Sequence, residues 1–236
     1  METKIFYGVD FKVYKDTKID GNFIKPEEAV YFENDVEISG NLKVKYLKTG
    51  KSIKVSGNYE VDRFDEVGKS QEVGGWQEVG KSQEVGDWQK VGGWQEVGDW
   101  QEVGKSQEVG GWQEVGDWQE VGKSQKVGKS QEVGGWQEVG GWQKVGGDLK
   151  AGSSRISLYS NVGGNYEVSG KVFVGVCEWK KTTEEEETLT CGKFISGDIK
   201  YGKLKETGVV QKQECNLSGK EVEVKIDGKN YRAVIQ

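Results

Sequence analysis

Eight tryptophans spaced in multiples of six stand out as the residues best placed to do something: Trp76, Trp88, Trp94, Trp100, Trp112, Trp118, Trp136 and Trp142. Indole rings set in rows outside a folded body form large apolar patches, and such patches mark interfaces. Rows of rings also suit stacking on polysaccharide, while turned inward they would only fill a core. Three readings are therefore open: contact with another copy or a protein partner, a carbohydrate platform, or internal packing. A second pattern, Gly75-Trp-Gln-Glu-Val-Gly80-Lys81-Ser82, satisfies the phosphate-loop expression letter for letter. A working phosphate loop follows a buried strand and opens a helix whose N-terminus holds the phosphates. No helical periodicity follows here, and we read the match as a coincidence of repeat units ending Lys-Ser.

Other chemistry is scarce. The chain has no histidine, which removes the usual general base, pH switch and zinc ligand. Cys177, Cys191 and Cys215 show no metal-ligand spacing. A hairpin joining strands Phe173 to Glu178 and Leu189 to Ile195 would set Cys177 opposite Cys191, leaving a disulfide and two buried thiols equally open. Asn216-Leu-Ser218 fits the glycosylation pattern as a common chance match, and no Asp-Gly-Asp clustering suggests calcium. No nucleophile, base and acid cluster emerges. We expect a protein that is not an enzyme and that uses no cofactor or metal.

Composition agrees with a thin-cored, elongated body: Gly 36, Pro 1 and only 34% hydrophobic residues in 236. The net charge is −6, which argues against nucleic acid as partner, since phosphate binding needs a basic stripe. No run reaches transmembrane length, and Met-Glu-Thr-Lys-Ile-Phe-Tyr at the start lacks the apolar core of a signal peptide. The expectation is a cytoplasmic protein, or a cell-surface or extracellular one if exported by another route.

What must position the tryptophans is a strict six-residue beat. From Val67 to Val145 a valine recurs every six residues and is followed each time by glycine. The position before the valine holds 11 Glu and 3 Lys. Helical geometry would scatter these valines around a cylinder. Six residues suit one short strand plus a tight turn, with glycine tolerating the turn conformation. Side chains alternate along a strand, so Val and Gln share one face while Trp (or Ser) and Glu share the other. A close-packed core does not accept Ser and Trp interchangeably, so Val and Gln belong inside. Stacked glutamines then satisfy one another as an amide ladder. Coiling the chain so that each strand pairs with one a coil away gives a β-solenoid, each valine stacking about 4.8 Å from the next. Stacked Glu columns would repel, and Lys90, Lys126, Lys144 and the Lys-Ser lysines are placed to relieve them. The number of hexads per coil stays open. Ser/Trp identity matches in 5 of 10 pairs at a lag of three hexads and in 7 of 9 at four.

The beat extends into both flanks. Ile38 to Val44, Val55-Ser-Gly-Asn-Tyr-Glu-Val61 and Val162-Gly-Gly-Asn-Tyr-Glu-Val168 keep the spacing, and Val174 ends it. Strand alternation also marks Phe11 to Val13, and at most a turn of helix is expected near Glu27-Glu28. Val222 to Ile226, Asp227-Gly228 and Lys229 to Ile235 read as a hairpin with Asp-Gly in the turn. The expected organisation is an N-terminal β cap with first coils (1–66), a regular hexad solenoid (67–148), last coils (149–176) and a C-terminal β-hairpin region (177–236). Terminal units of such arrays depart from the consensus because they cap open ends.

The segments Glu37-Ile38-Ser-Gly-Asn-Leu42 and Lys54-Val55-Ser-Gly-Asn-Tyr-Glu-Val61 resemble those of bactofilins and similar polymer-forming β-helical proteins. That resemblance covers roughly residues 30–66 and 160–200 and implies a right-handed solenoid polymerising end to end without nucleotide. The tryptophan-rich centre departs from it, and so does the acidic C-terminal hairpin. The reading that follows is an all-β structural protein, a β-solenoid that assembles with itself into filaments or layers through its ends or Trp rows. The alternative is a non-catalytic binding module using exposed Trp rows for polysaccharide or a protein partner.

Overall fold

The computed structural model describes residues 2–208 throughout and, beyond them, the backbone of Glu221–Ile226 and Lys229–Val234. It is an all-β chain, with no helix among the described residues. The strands coil into a parallel β-solenoid of about 11 turns. The coil is 18 residues, or three hexads: Gln71 pairs with Gln89, Gln77 with Gln95, and Gln83 with Gln101. The stronger Ser/Trp correlation at four hexads is therefore not the coil length.

Three faces result. The first carries Ser70–Val73, Trp88–Val91, Ser106–Val109, Ser124–Val127 and Gln143–Val145. The second carries Gln77–Val79, Gln95–Val97 and Gln113–Val115. The third carries Ser82–Val85, Trp100–Val103 and Trp118–Val121. The valine of every hexad is buried at 0–1% exposure. Burying each side chain is worth roughly 1.5–3 kcal/mol before chain ordering is subtracted.

The glycine after each valine has a reason other than the turn conformation expected of it. None of the repeat glycines adopts a positive φ. They sit at corners where coils stack backbone on backbone. A Cβ on Gly116 would lie 1.7 Å from the carbonyl oxygen of Gly98, and one on Gly80 would lie 2.0 Å from that of Asp62.

The flanking coils keep the architecture with hydrocarbon interiors. Phe23, Val30, Phe32, Leu42, Leu47 and Ile53 fill the N-terminal end. Phe23–Phe32 is one strand with a register shift between Lys25 and Ala29, so Pro26 and Glu27-Glu28 lie on a bulged strand where a turn of helix was allowed for. Ahead of it Thr3–Phe6 and Val9–Tyr14 form an antiparallel hairpin. Its two turn residues, Tyr7 and Gly8, have φ of 54° and 76°, the left-handed pair that matches strand twist in a two-residue turn. Phe6 and Phe11 pack on Tyr31 and Tyr46, and Tyr7 packs on Phe64.

At the other end, Ser160–Val174 and Thr188–Tyr201 pair in parallel as successive coils, with Val162 opposite Cys191. This corrects the expected hairpin: a solenoid returns every strand in the same direction, so Cys177 and Cys191 do not face each other. Both are free thiols, and burial is the main cause pushing that of Cys191 up to about 11. Cys215 and Asn216 lie outside the described residues. Glu221–Ile226 and Lys229–Val234 pair antiparallel as expected, and Asp227-Gly228, expected in the turn, lies outside the described residues.

Candidate functional site

All eight repeat tryptophans point outward, at the position that alternation leaves on the opposite side from Val and Gln. The 18-residue coil sorts them by face. On the second face Trp76, Trp94 and Trp112 stack with ring centroids 5.3 Å apart and planes within 7°. The same outward column reads Asn22, Asn41 and Asn58 before them. There each asparagine oxygen accepts the backbone N–H of the residue one coil on: Asn41, Asn58 and Trp76 in turn. On the third face Trp100 and Trp118 stack at 5.5 Å, and Trp136 follows in register. The first face carries Trp88 alone between Ser70 and Ser106, and Trp142 stacked on Tyr159 at 6.1 Å. Trp88 and Trp112 are the most exposed of the eight, at 41% and 39%. Trp179 was not singled out in the sequence, because it stands out of phase. It is 64% exposed and lines a groove with Trp142, Leu158, Ser106 and Ser124.

The charged columns divide by face just as unevenly. On the second face Glu60, Glu78, Glu96, Glu114 and Glu132 stack without interruption between Lys43 and Lys150. On the third, Glu66, Glu84, Glu102, Glu120 and Glu138 do so between Lys48 and Arg155. The first face reads Lys54, Glu72, Lys90, Glu108, Lys126, Lys144. Of the lysines expected to relieve the Glu columns, Lys90, Lys126 and Lys144 thus all fall within one column, and the other two columns hold a cation only at their ends. Carboxyl acidity follows. Partial burial, then the charges of Glu60 and Glu96, push the Glu78 carboxyl up, and burial, then Glu120, does the same to Glu102. Glu108 moves down because Lys126 donates to it at 2.7 Å.

Inside, thirteen glutamines are buried at 0–3% exposure. Their amides form one directional network. From Gln83 onward each Nε2 donates to the side chain 18 residues earlier, as Gln101 does to Gln83 at 2.8 Å and Gln119 to Gln101 at 2.8 Å. Further bonds cross between faces, such as Gln107 to Gln101 at 3.0 Å. Both open ends are closed by other residues. At the N-terminal end Asp65 is wholly buried and accepts from Tyr59 Oη at 2.7 Å, Gln71 Nε2 at 3.0 Å and Gln83 Nε2 at 2.9 Å. Burial pushes its carboxyl up to about 6, although these three donors oppose the rise. At the C-terminal end Ser160 Oγ donates to Gln143 Oε1 at 3.0 Å and Ser154 Oγ to Gln137 Oε1 at 3.5 Å. Donor chemistry ends on an acceptor and acceptor chemistry ends on hydroxyl donors. The sequence carried a signal for the first cap, since Asp65 and Tyr59 fall in phase with the glutamines. The second was hidden because the closing coil is 17 residues long, setting Ser154 under Gln137 and Ser160 under Gln143.

The phosphate-loop match spans two faces. Gln77–Val79 lies on the second and Ser82 opens a strand of the third, with Lys81 at the exposed corner between them. No helix among the described residues offers an N-terminus to a phosphate.

Fold and surface together define a β-solenoid with two tryptophan–glutamate faces and one mixed-charge face. No family model, curated protein or solved structure matches the chain.

Proposed function

We propose that the protein is a structural β-solenoid rod that assembles with itself through its Trp rows. The observation that carries this is the register of those rows. Trp76–Trp94–Trp112 and Trp100–Trp118–Trp136 are continuous outward columns whose rings stay partly exposed, Trp112 most of all at 39%. Exposed apolar stripes of this kind are what a neighbouring molecule removes from water. The likeness of the flanking Ser-Gly-Asn segments to those of polymer-forming β-helical proteins points the same way, and it leaves the rod's ends as a second route to assembly.

Polysaccharide binding is served less well by the same geometry. Rings that stack on one another at 5.3 Å along the rod cover each other's faces and turn their edges outward. A sugar ring stacks on an exposed aromatic face. Trp88, without a stacking neighbour of its own column, is the ring best suited to that use.

Negative-stain imaging of the purified full chain at moderate concentration tests the reading. Ordered filaments or sheets are expected. Monodisperse monomers retained on an insoluble polysaccharide would overturn it in favour of the binding module.

A further inference from the structure

Charge is segregated around this rod, and the segregation is self-complementary. The first face presents Lys54, Lys90, Lys126 and Lys144 against Glu72 and Glu108. The corner leading into it adds Lys69, Lys105 and Lys123 against Asp87. The second face presents five glutamates and no lysine between Lys43 and Lys150. Glu96, Glu114 and Glu132 on it are exposed, as are Lys90, Lys126 and Lys144 on the first. Relief is also complementary. The second face carries the ridge of Trp76, Trp94 and Trp112, while the first has serines at Ser106 and Ser124 between Trp88 and Trp142. That serine step lines one recess of the first face, and Ser52 and Ser70 line another that ends on Trp88. Both faces have the same rise of about 4.8 Å per coil, so a lysine column aligned with a glutamate column stays aligned along the rod.

We infer that the lateral contact joins the lysine-bearing first face of one copy to the Trp76–Trp94–Trp112 face of a second copy of this chain. This rests on the self-assembly reading and specifies its partner surfaces. The third face is the poorer candidate. Its glutamates are half-buried throughout, and the N-terminal hairpin already occupies its near end, with Tyr7 donating to Glu66 at 2.6 Å. The contact is heterologous, since two different surfaces of one molecule meet. Repetition therefore gives a closed ring where the rotation allows and an open array where it does not. Charge pairing of exposed columns is screened by salt, with a Debye length of about 10 Å at 0.1 M.

Charge-swapped full-length variants test it by sedimentation velocity at low and high salt. K90E/K126E/K144E gives the first face an unbroken glutamate column, which the native second face shows the fold tolerates. E96K/E114K/E132K makes the second face basic. Each variant alone is expected to lose at least about tenfold in association, a free-energy change of about 1.4 kcal/mol. An equimolar mixture is expected to recover it, because each variant then meets an opposite charge on its partner. Circular dichroism of each variant checks that the β signal is intact. Wild-type assembly matched by both variants alone would overturn the inference and leave the self-assembly reading standing. Loss in both without recovery in the mixture would also overturn it, because the two faces would then not meet. Wild type that stays monomeric at every salt concentration overturns both.

Discussion

The regular middle of the rod and its irregular flanks bury the same valine column but fill the rest of the interior in opposite ways. In the flanks the inward position is mostly hydrocarbon or aromatic: Leu42 before Val44, Ile53 before Val55, Tyr59 before Val61 and Leu149 before Ala151, all at 0–3% exposure. In the middle, from Val73 to Val145, that position is always glutamine. A lone buried amide is costly. A stack of them 18 residues apart is not, because each carbonyl meets the amide of the next coil. The contrast teaches that a polar interior of this kind depends on repetition and tolerates interruption poorly. Its first and last members need dedicated partners, and the flanks begin where those partners stand, at Asp65, Ser154 and Ser160.

The largest effect that separates the two regions is steric. Gly116→Ala puts a methyl group 1.7 Å from the Gly98 carbonyl oxygen, backbone against backbone, where neither side can rotate away. Gly50→Ala in the N-terminal flank meets nothing nearer than the Tyr31 hydroxyl at 4.0 Å. Overpacking of the first kind costs roughly 1–3 kcal/mol and occasionally more, and the second should fall within about 0.5 kcal/mol of wild type. Urea unfolding followed by circular dichroism compares them, and equal midpoints would mean that the corners do not stack as tightly as described.

At the boundary between regions the expected effect is pH-dependent. Asp65 has an ordinary carboxyl value of 3.8 that burial raises to about 6 in the folded chain. The folded state therefore holds this proton more tightly than the unfolded one. The stabilisation is full below about 3.8 and is lost as pH rises through about 6, a change of roughly 3 kcal/mol across the window. Asp65→Asn offers an oxygen to Gln71 and Gln83 and an amide to Tyr59 without ionising. It is expected to remove this part of the fall in stability between pH 4 and 7, leaving the shallower contribution of glutamates such as Glu78, whose raised values have the same sign. Thermal melts of both proteins across that range decide it, and an unchanged slope would show that Asp65 does not titrate as its burial implies.

Much of this architecture was legible from the repeat alone. The valine column, the inward glutamines, their ladder and the outward tryptophans all follow from alternation along a four-residue strand and from close packing. What was not legible depends on how many hexads close a coil. The Ser/Trp pattern correlates best at four hexads, while the backbone closes at three, so the assignment of tryptophans and charges to faces could not be read. Val91 and Val97 look equivalent in sequence. Only the coil reveals that Lys90 belongs to a mixed column and Glu96 to an acidic one. Sequence alone points to backbone conformation at the glycine corners, whereas the stacking of coils, a contact between distant residues, is what excludes a Cβ.

The smallest effect tests whether the ladder is as redundant inside as it is singular at its ends. Gln101 donates to Gln83 and Gln89 and accepts from Gln107, Gln113 and Gln119. Replacing it by leucine orphans none of them. Gln107 and Gln113 keep Gln95, Gln119 keeps Gln107, Gln83 still accepts from Gln89, and Gln89 still accepts from Gln107. Gln101→Leu is therefore expected to cost about 1 kcal/mol or less, the net worth of ordinary hydrogen bonds. The reverse change in the flank, Leu42→Gln, sets an amide between Phe23 and Tyr59, whose hydroxyl is already given to Asp65. Left unsatisfied, that amide costs about 1–3 kcal/mol. If urea midpoints show Gln101→Leu to be the more damaging of the two, the network is a chain in which every link counts. If Leu42→Gln is worse, the amides act as a redundant mesh, and only its capping residues are irreplaceable.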